Sequence, residues 1–324
     1  MTDLDFFYKG LFSILEKHAS INALTPYRIR TREIPMEQAR KLVFDPTKLF
    51  LRKDDGVQVT YLLHAGKPPV AFTPKPSVSG KHINRTEQLQ LPKTKVPHEL
   101  SGTIAHGEVI LLDSNGKALP LKDIVGYMNM EPDKGKQYLK DNGYQIYRTV
   151  FDVDRIGNKD ISTQPFKYRL EAVKAIASII GADVPEHSAT VKGKLNLLNS
   201  IRTGKNKKTN EGIVIQDLNN FSGVLKAKNK KVFDVIVTGI VPSKNLPGAA
   251  GGFEYSYDGR TTVGKVGTGF SIKERIDMMK NPEKYIGRYA VVQSIGKTPN
   301  GVLFQPSFIS WHPEKGRSIW SDIK

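Results

Sequence analysis

Cysteine is absent from all 324 residues. Its absence excludes disulfides, thiolate zinc centres and cysteine nucleophiles, and leaves the redox compartment open. The seven histidines show no metal-ligand spacing, so no zinc site is expected. No stretch is long and apolar enough to span a bilayer, and there is no long basic amphipathic helix to lie on one. The opening residues MTDLDFFYKG carry Asp3 and Asp5 and lack the basic-then-apolar pattern of a secretory leader, so the cytoplasm is the expected compartment. Internal repeats and long low-complexity segments are also missing. Negative charge is scarce: 32 Asp+Glu face 49 Lys+Arg, a net charge of +17. That imbalance favours a polyanionic partner, and with no membrane segment the expected polyanion is nucleic acid.

What is present suits two domains at ordinary domain sizes, with 39% hydrophobic residues to build their cores. Residues 3–16 read as an amphipathic helix, with Leu4, Phe7, Leu11 and Ile14 at near-helical spacing. From residue 48 the pattern becomes β-rich in LFLRK, VQVTYLL, EVILLD and YRTVFDV. FKYRLEAVKAIASIIG reads as a helix, with Leu170, Val173, Ile176 and Ile180 on one face and Gly181 as its stop; TVKGKLNLLNSIRTG reads as another. The loop TGKNKKTN at 203–210 carries Lys205, Lys207 and Lys208, suited to general attraction to a nucleic-acid backbone.

A second regime begins near Lys231. VFDVIVTGIV, TTVGKVGTGF, YAVVQSIG and GVLFQPSFISW are short strands between Gly- and Asn-rich turns. One helix lies among them, opened by a capping box of Ser271 and Glu274, with Ile272, Ile276 and Met279 as its apolar stripe. Short strands and a single helix fit a small Greek-key barrel of the OB type. The expected domains are 1–230 and 231–324, with the hinge around Lys230–Lys231.

The stretch LFLRKDDGVQVTYLL, residues 49–63, admits two readings. Asp55-Gly56 between apolar runs is a strong hairpin-turn signal. Lys53 is alternatively a nucleophile beside a nucleotide pocket. Single motifs here are weak, so the order of motifs matters. After Lys53-Asp54-Asp55-Gly56, AHGEVILLD places Glu108 at the start of an apolar strand, and TVFDV places Phe151 in a β run. NEGIVIQD then sets Glu211-Gly212 before another strand, with Val214 just beyond. GVLKAKNKK puts Lys226 and Lys228 two apart, on one face of a strand. Each has a bland alternative; Phe151 has the strongest, because an aromatic in a strand is ordinarily core.

This order resembles the covalent nucleotidyltransferases, and most closely the ATP-dependent DNA ligases. Their pattern is KxDG, an acidic strand motif, an aromatic, EG, KxK and a C-terminal OB domain. VGTGFSIKERIDMM and GVLFQPSFISWHPEK look like the ligase barrel segments, so the resemblance spans all but the first forty or so residues. It implies an α+β chain: a nucleotidyltransferase (ATP-grasp-like) adenylation domain of antiparallel sheets and helices, then an OB-fold β-barrel. It implies that Lys53 attacks the α-phosphate of ATP and holds AMP as a phosphoramidate. A free lysine titrates at about 10.4, so activation by desolvation, nearby cations or metal is expected, with Lys226 and Lys228 as the cations. By the same resemblance Asp55 orients the nucleophile region and Gly56 permits a tight turn. Glu108 and Glu211 hold Mg2+ or Mn2+, Phe151 stacks on adenine, Val214 closes the other face, and Lys315 turns towards pyrophosphate. The implied partner is nicked double-stranded DNA, sealed at a 5′-phosphate/3′-OH by a monomer in replication, repair or recombination. The minimal size suggests a viral or phage form.

Several positions depart from the family. Gln58 stands where KxDGxR has its arginine, and Val78 where an S-R-x-G stretch has another; Lys75, Lys81 and Arg85 are the nearby substitutes. His106 replaces an acid, Gln216 replaces a lysine, and His312-Pro313-Glu314-Lys315 replaces the terminal Arg-x-Asp-Lys. These changes fall on phosphate contacts, so an active but divergent enzyme is expected. An NAD-dependent ligase is disfavoured by the lack of a cysteine zinc module. An RNA ligase, an mRNA-capping guanylyltransferase and a non-catalytic DNA-binding clamp remain the alternatives.

Overall fold

The computed structural model describes residues 31–74, 82–205, 208, 211–298, 300–312 and 315. The helix expected at 3–16 lies outside the described residues. The chain divides into two compact units, Met1–Lys228 and Asn229–Lys324.

The first unit contains two five-stranded sheets. One is ordered β1-β10-β9-β2-β8, from Arg32–Glu33 (β1), Lys48–Lys53 (β2), His187–Ser188 (β8), Gly212–Asp217 (β9) and Leu225–Lys228 (β10). The other is ordered β4-β3-β5-β6-β7, from Val57–Leu63 (β3), Val70–Phe72 (β4), Thr103–Leu112 (β5), Gln145–Ile156 (β6) and Lys159–Asp160 (β7). Among the described residues, β1–β10 is the only parallel pairing of these strands. The strand alternation is visible in β3, where Val59, Tyr61 and Leu63 are fully buried and the intervening residues face the cleft described below.

Among the described residues, five α-helices accompany these sheets: Met36–Lys41 (α1), Leu121–Met128 (α2), Pro132–Asn142 (α3), Phe166–Ile180 (α4) and Val191–Arg202 (α5). In α4, residues Val173, Ile176 and Ile180 pack into the larger core against β5 and β6, and Gly181 ends the helix in the left-handed conformation at φ 65°. In α5, Leu197, Leu198 and Ile201 share a second core with Phe50, Ile213 and Ile215 on the outer face of the β2-β9-β10 sheet. Helix α5 thus covers the outer face of this sheet, while Phe166 and Leu170 of α4 pack against Leu49 and Leu51, and the remaining inner surface lines a cleft.

The hairpin expected at Lys53–Gly56 does not form. β2 and β3 belong to different sheets, so residues 54–56 carry the chain from one to the other. Gly56 has no left-handed backbone. It is needed for close approach: a Cβ there would lie 2.3 Å from the Val109 carbonyl oxygen on β5.

The second unit is built on a sheet ordered β13-β12-β11-β14-β17, from Lys231–Pro242 (β11), Ala250–Ser256 (β12), Gly264–Val266 (β13), Tyr289–Ser294 (β14) and Ser307–Trp311 (β17), all antiparallel. A two-stranded ribbon pairs Gly296–Lys297 (β15) with Leu303–Phe304 (β16). The helix Ile272–Lys280 (α6) begins with the expected capping box. Its expected apolar stripe is not its buried face. Ile272, Ile276 and Met279 are 66%, 37% and 38% exposed, while Met278 enters the core with Phe253, Tyr255 and Phe308. Arg275 turns the helix this way by donating to the Ala250, Gly251 and Gly267 carbonyls.

Candidate active site

The inner faces of the two sheets line a cleft of about 900 Å³. Register explains how distant motifs meet there. Lys53 of β2 lies opposite Gly212 of β9, which lies opposite Lys228 of β10. The next inward row is Leu51, Val214 and Lys226. Residues in one row share a face, and so do residues two apart along a strand. Both lysines of KAK and the terminal lysine of β2 therefore project to the cleft side.

Glu211, buried at the start of β9, links them. Its Oε2 accepts from Lys53 Nζ at 2.5 Å and its Oε1 lies 3.1 Å from Lys228 Nζ. Across the cleft, Glu108 of β5 accepts from the Gly56 backbone N–H at 2.8 Å. Lys226 lies 3.8 Å from Glu33 on the neighbouring β1. Gly212 permits this packing, because a Cβ would come within 2.1 Å of the Ala227 carbonyl oxygen.

The electrostatics differ from the sequence expectation for Lys53. Burial acts to lower its pKa, but Glu108, Glu211 and Asp55 outweigh it, so the ammonium form is favoured and the pKa is raised. The resting lysine is held charged by carboxylates, and the lysine pair does not activate it: Lys228 is engaged by Glu211. Burial also pushes Glu108 up to about 7, against the pull of Lys53 and the Gly56 N–H. Asp55 is raised by burial and by Glu211. The cleft therefore holds more carboxylate than its lysines satisfy. Glu108 and Glu211 suit a hard divalent cation with phosphate and water completing its shell. Among the described residues no group of three or more His, Asp or Glu could hold a metal, so these residues offer no closed cage.

Phe151 lines the cleft, half-buried, and Val214 lines it from the opposite sheet. The core reading of Phe151 fails because β6 bulges there. Glu108 pairs Thr149 and Gly107 pairs Val150, but His106 pairs Asp152, leaving Phe151 as the extra residue. Sequence periodicity does not reveal a bulge. Lys315 lies in the second unit, 2.5 Å from Asp234 of β11, with His312 3.6 Å from the same carboxylate.

The sequence reading missed several groups. Arg52 donates to buried Asp54 at 2.7 Å and contacts Tyr147, fixing the end of β2 beside Lys53. Buried Arg169 of α4 donates to both Asp152 oxygens at 2.5 and 2.6 Å, and His106 Nε2 lies 2.7 Å from Asp154. The signal was the run FDVDR, three charges within five residues of a strand. Of the suggested arginine substitutes, Arg85 is buried and donates to Asn129; Lys75, Val78 and Lys81 lie outside the described residues. Gln58 lines the cleft, directly opposite Glu108. Lys208 sits over the Tyr147 ring at 3.7 Å, and Lys207 lies outside the described residues.

The fold that carries this cleft is shared with solved DNA ligases. The chain is similar to a solved structure of the Lig E DNA ligases, at 15% identity over 88% of this chain and 100% of the other, with a TM-score of 0.57. It is similar also to a structure designated Pmar-Lig_PreS3, at 16% identity over 87% of this chain and 67% of the other, with a TM-score of 0.59. No protein-family model and no curated protein matches the chain. The likeness to DNA ligases inferred from motif order thus holds at the level of the fold.

Proposed function

We propose that the chain is an ATP-dependent DNA ligase that seals 5′-phosphate/3′-OH nicks through a lysyl-AMP intermediate. The observation that carries this reading is the single row Lys53–Gly212–Lys228 with Glu211 bridging the two lysines and Glu108 facing them. In this reading Lys53, once deprotonated, attacks the α-phosphorus of ATP; the bond to pyrophosphate breaks and AMP stays on Nζ. The AMP then passes to the 5′-phosphate of the nick, freeing Lys53, and the 3′-OH attacks that phosphate, forming the phosphodiester and releasing AMP. Phe151 and Val214 clasp the adenine from opposite sheets. Lys226 and Lys228 offset the phosphate charge, and Asp55 keeps the Lys53 segment in place. Glu108 and Glu211 would hold Mg2+ or Mn2+, which supplies charge neutralisation for the phosphates. The second unit, 231–324, is read as an OB barrel that grips duplex DNA and brings Lys315 to the pyrophosphate; leaving Asp234 is part of that step.

Incubation with α-labelled ATP and Mg2+ tests this. An acid-labile covalent label is expected on the wild type and none on Lys53→Ala. Nicked DNA should discharge the label. A wild type that takes no label, or a Lys53→Ala variant labelled equally, overturns the reading. Discharge by nicked RNA but not DNA would move the chain to RNA ligation, and labelling by GTP alone would move it to capping chemistry.

A further inference from the structure

The second bulge of β6 supplies a cation that the motifs do not account for. Ala105 pairs Val153, but Ile104 pairs Arg155, so Asp154 is an extra residue and both Asp154 and Arg155 face the cleft. Every neighbouring carboxylate is already engaged. Asp152 receives two hydrogen bonds from Arg169, Asp154 is held by His106, and Asp160, directly opposite Arg155 on β7, accepts from the Ser162 N–H at 2.8 Å. The other strongly basic groups lining the cleft are occupied: Arg52 by Asp54, Lys53 by Glu211, and Lys226 by Glu33. Arg155 is half-buried and, among the described residues, has neither a hydrogen-bond nor an ion-pair partner. A guanidinium presents a planar fork of donors matched to phosphate oxygens.

Its position limits the ligand. Arg155 lies in the row of Ile104, four residues along β5 from Glu108. At about 3.4 Å per residue, that is roughly 14 Å along the strand from Glu108. The phosphates of ATP gather at Lys53, so an anion at Arg155 belongs to another part of the substrate. We propose that Arg155 binds a backbone phosphate of the polynucleotide, a few linkages from the end that reacts at Lys53, and supplies grip that Gln58 does not. This rests on the ligase reading above.

The test is a charge-deletion scan. Nicked duplexes each carry one neutral methylphosphonate, placed in turn at the first six linkages on either side of the nick. Affinities for wild type, Arg155→Ala and Arg155→Lys are measured by fluorescence anisotropy. On unmodified DNA, Arg155→Ala should bind about tenfold more weakly and lower the salt slope by about one. One linkage should weaken wild-type binding and leave Arg155→Ala unaffected, the non-additivity of a direct contact. Arg155→Lys should recover part of the loss. Lys140→Ala, an exposed charge of α3 outside the cleft, should keep the wild-type scan. An Arg155→Ala scan parallel to wild type at every linkage overturns the proposal. So does an Arg155→Ala defect confined to ATP binding, which would assign Arg155 to the nucleotide. If Arg155→Ala does not fold, Arg155→Gln replaces it under the same criteria. A wild type that binds DNA with this pattern but takes no AMP label sinks the ligase reading and leaves the Arg155 contact standing.

Discussion

Glu211 serves two lysines at once, and its side chain is only 5% exposed. Replacing it with glutamine keeps the shape but leaves two cations without their shared counter-charge. Breaking one side of a buried ion pair costs about 3 kcal/mol. Chemical denaturation of Glu211→Gln should show a loss of that order, together with a fall of at least about a hundredfold in the rate of AMP labelling, as for removal of a charge-stabilising group. Stability lost without any fall in labelling would make Glu211 purely a packing residue. Lys53 illustrates why residue type alone misleads. Its motif predicts an activated amine, yet three carboxylates around it favour the ammonium form, so activation must come with substrate.

At the scale of elements, glycines let neighbouring strands beside the cleft approach closely. Gly56→Ala would press a methyl group into the Val109 carbonyl, and Gly212→Ala into that of Ala227. Each is expected to destabilise the first unit by about 1–3 kcal/mol, the usual cost of overpacking. Gly223→Ala, with nothing within 4 Å of its Cβ but φ +80, should cost less, and comparison of thermal midpoints checks the ranking. In the second unit exposed Asp258 ties down a turn and half-buried Asp277 ties the end of α6 to the turn that follows it. Hydrogen bonds from the Ser256 hydroxyl and the Arg260 and Thr261 N–H groups hold Asp258 down to about 2. Tyr285, Lys284 and Asn281 hold Asp277 down to about 2. A folded-state pKa below the ordinary 3.8 means that the stabilisation is complete above pH 4 and is lost as pH falls towards 2. The unfolding midpoint of the second unit should be flat from pH 7 to about 5 and drop below about 4. The double variant Asp258→Asn, Asp277→Asn should start lower and drop less; an equal drop would place the acid sensitivity elsewhere.

For the whole molecule, the proposed function makes the net charge of +17 the main driver of encounter with DNA. Phosphate neutralisation releases counterions, so six or more contacts would cost about a thousandfold in affinity between 50 and 200 mM salt. A titration of nicked-duplex binding against salt checks this. A flat profile would mean that the basic surface does not meet the DNA. The same charge says nothing about which cation meets which phosphate. That selection depends on which lysines and arginines are already occupied by acids of their own sheet.

Motif order, the β-rich pattern of the first unit, helix α4 with its glycine stop, and the capping box of α6 were all legible in the sequence. Each depends on local periodicity, backbone chemistry or spacing along one strand. The pairing of Lys53 with Glu211 needed a register 158 residues apart in sequence. The passage of residues 54–56 between sheets, the cleft-facing Phe151 and Arg155, and the exposed stripe of α6 were decided only in three dimensions. Bulges shift a strand's faces without marking its composition, and a helix buries whichever face its anchors turn inward. The sequence by itself determined which chemical groups the protein owns. The tertiary structure decided which of them neutralise one another and which are left to meet a ligand, because that depends on distance and burial.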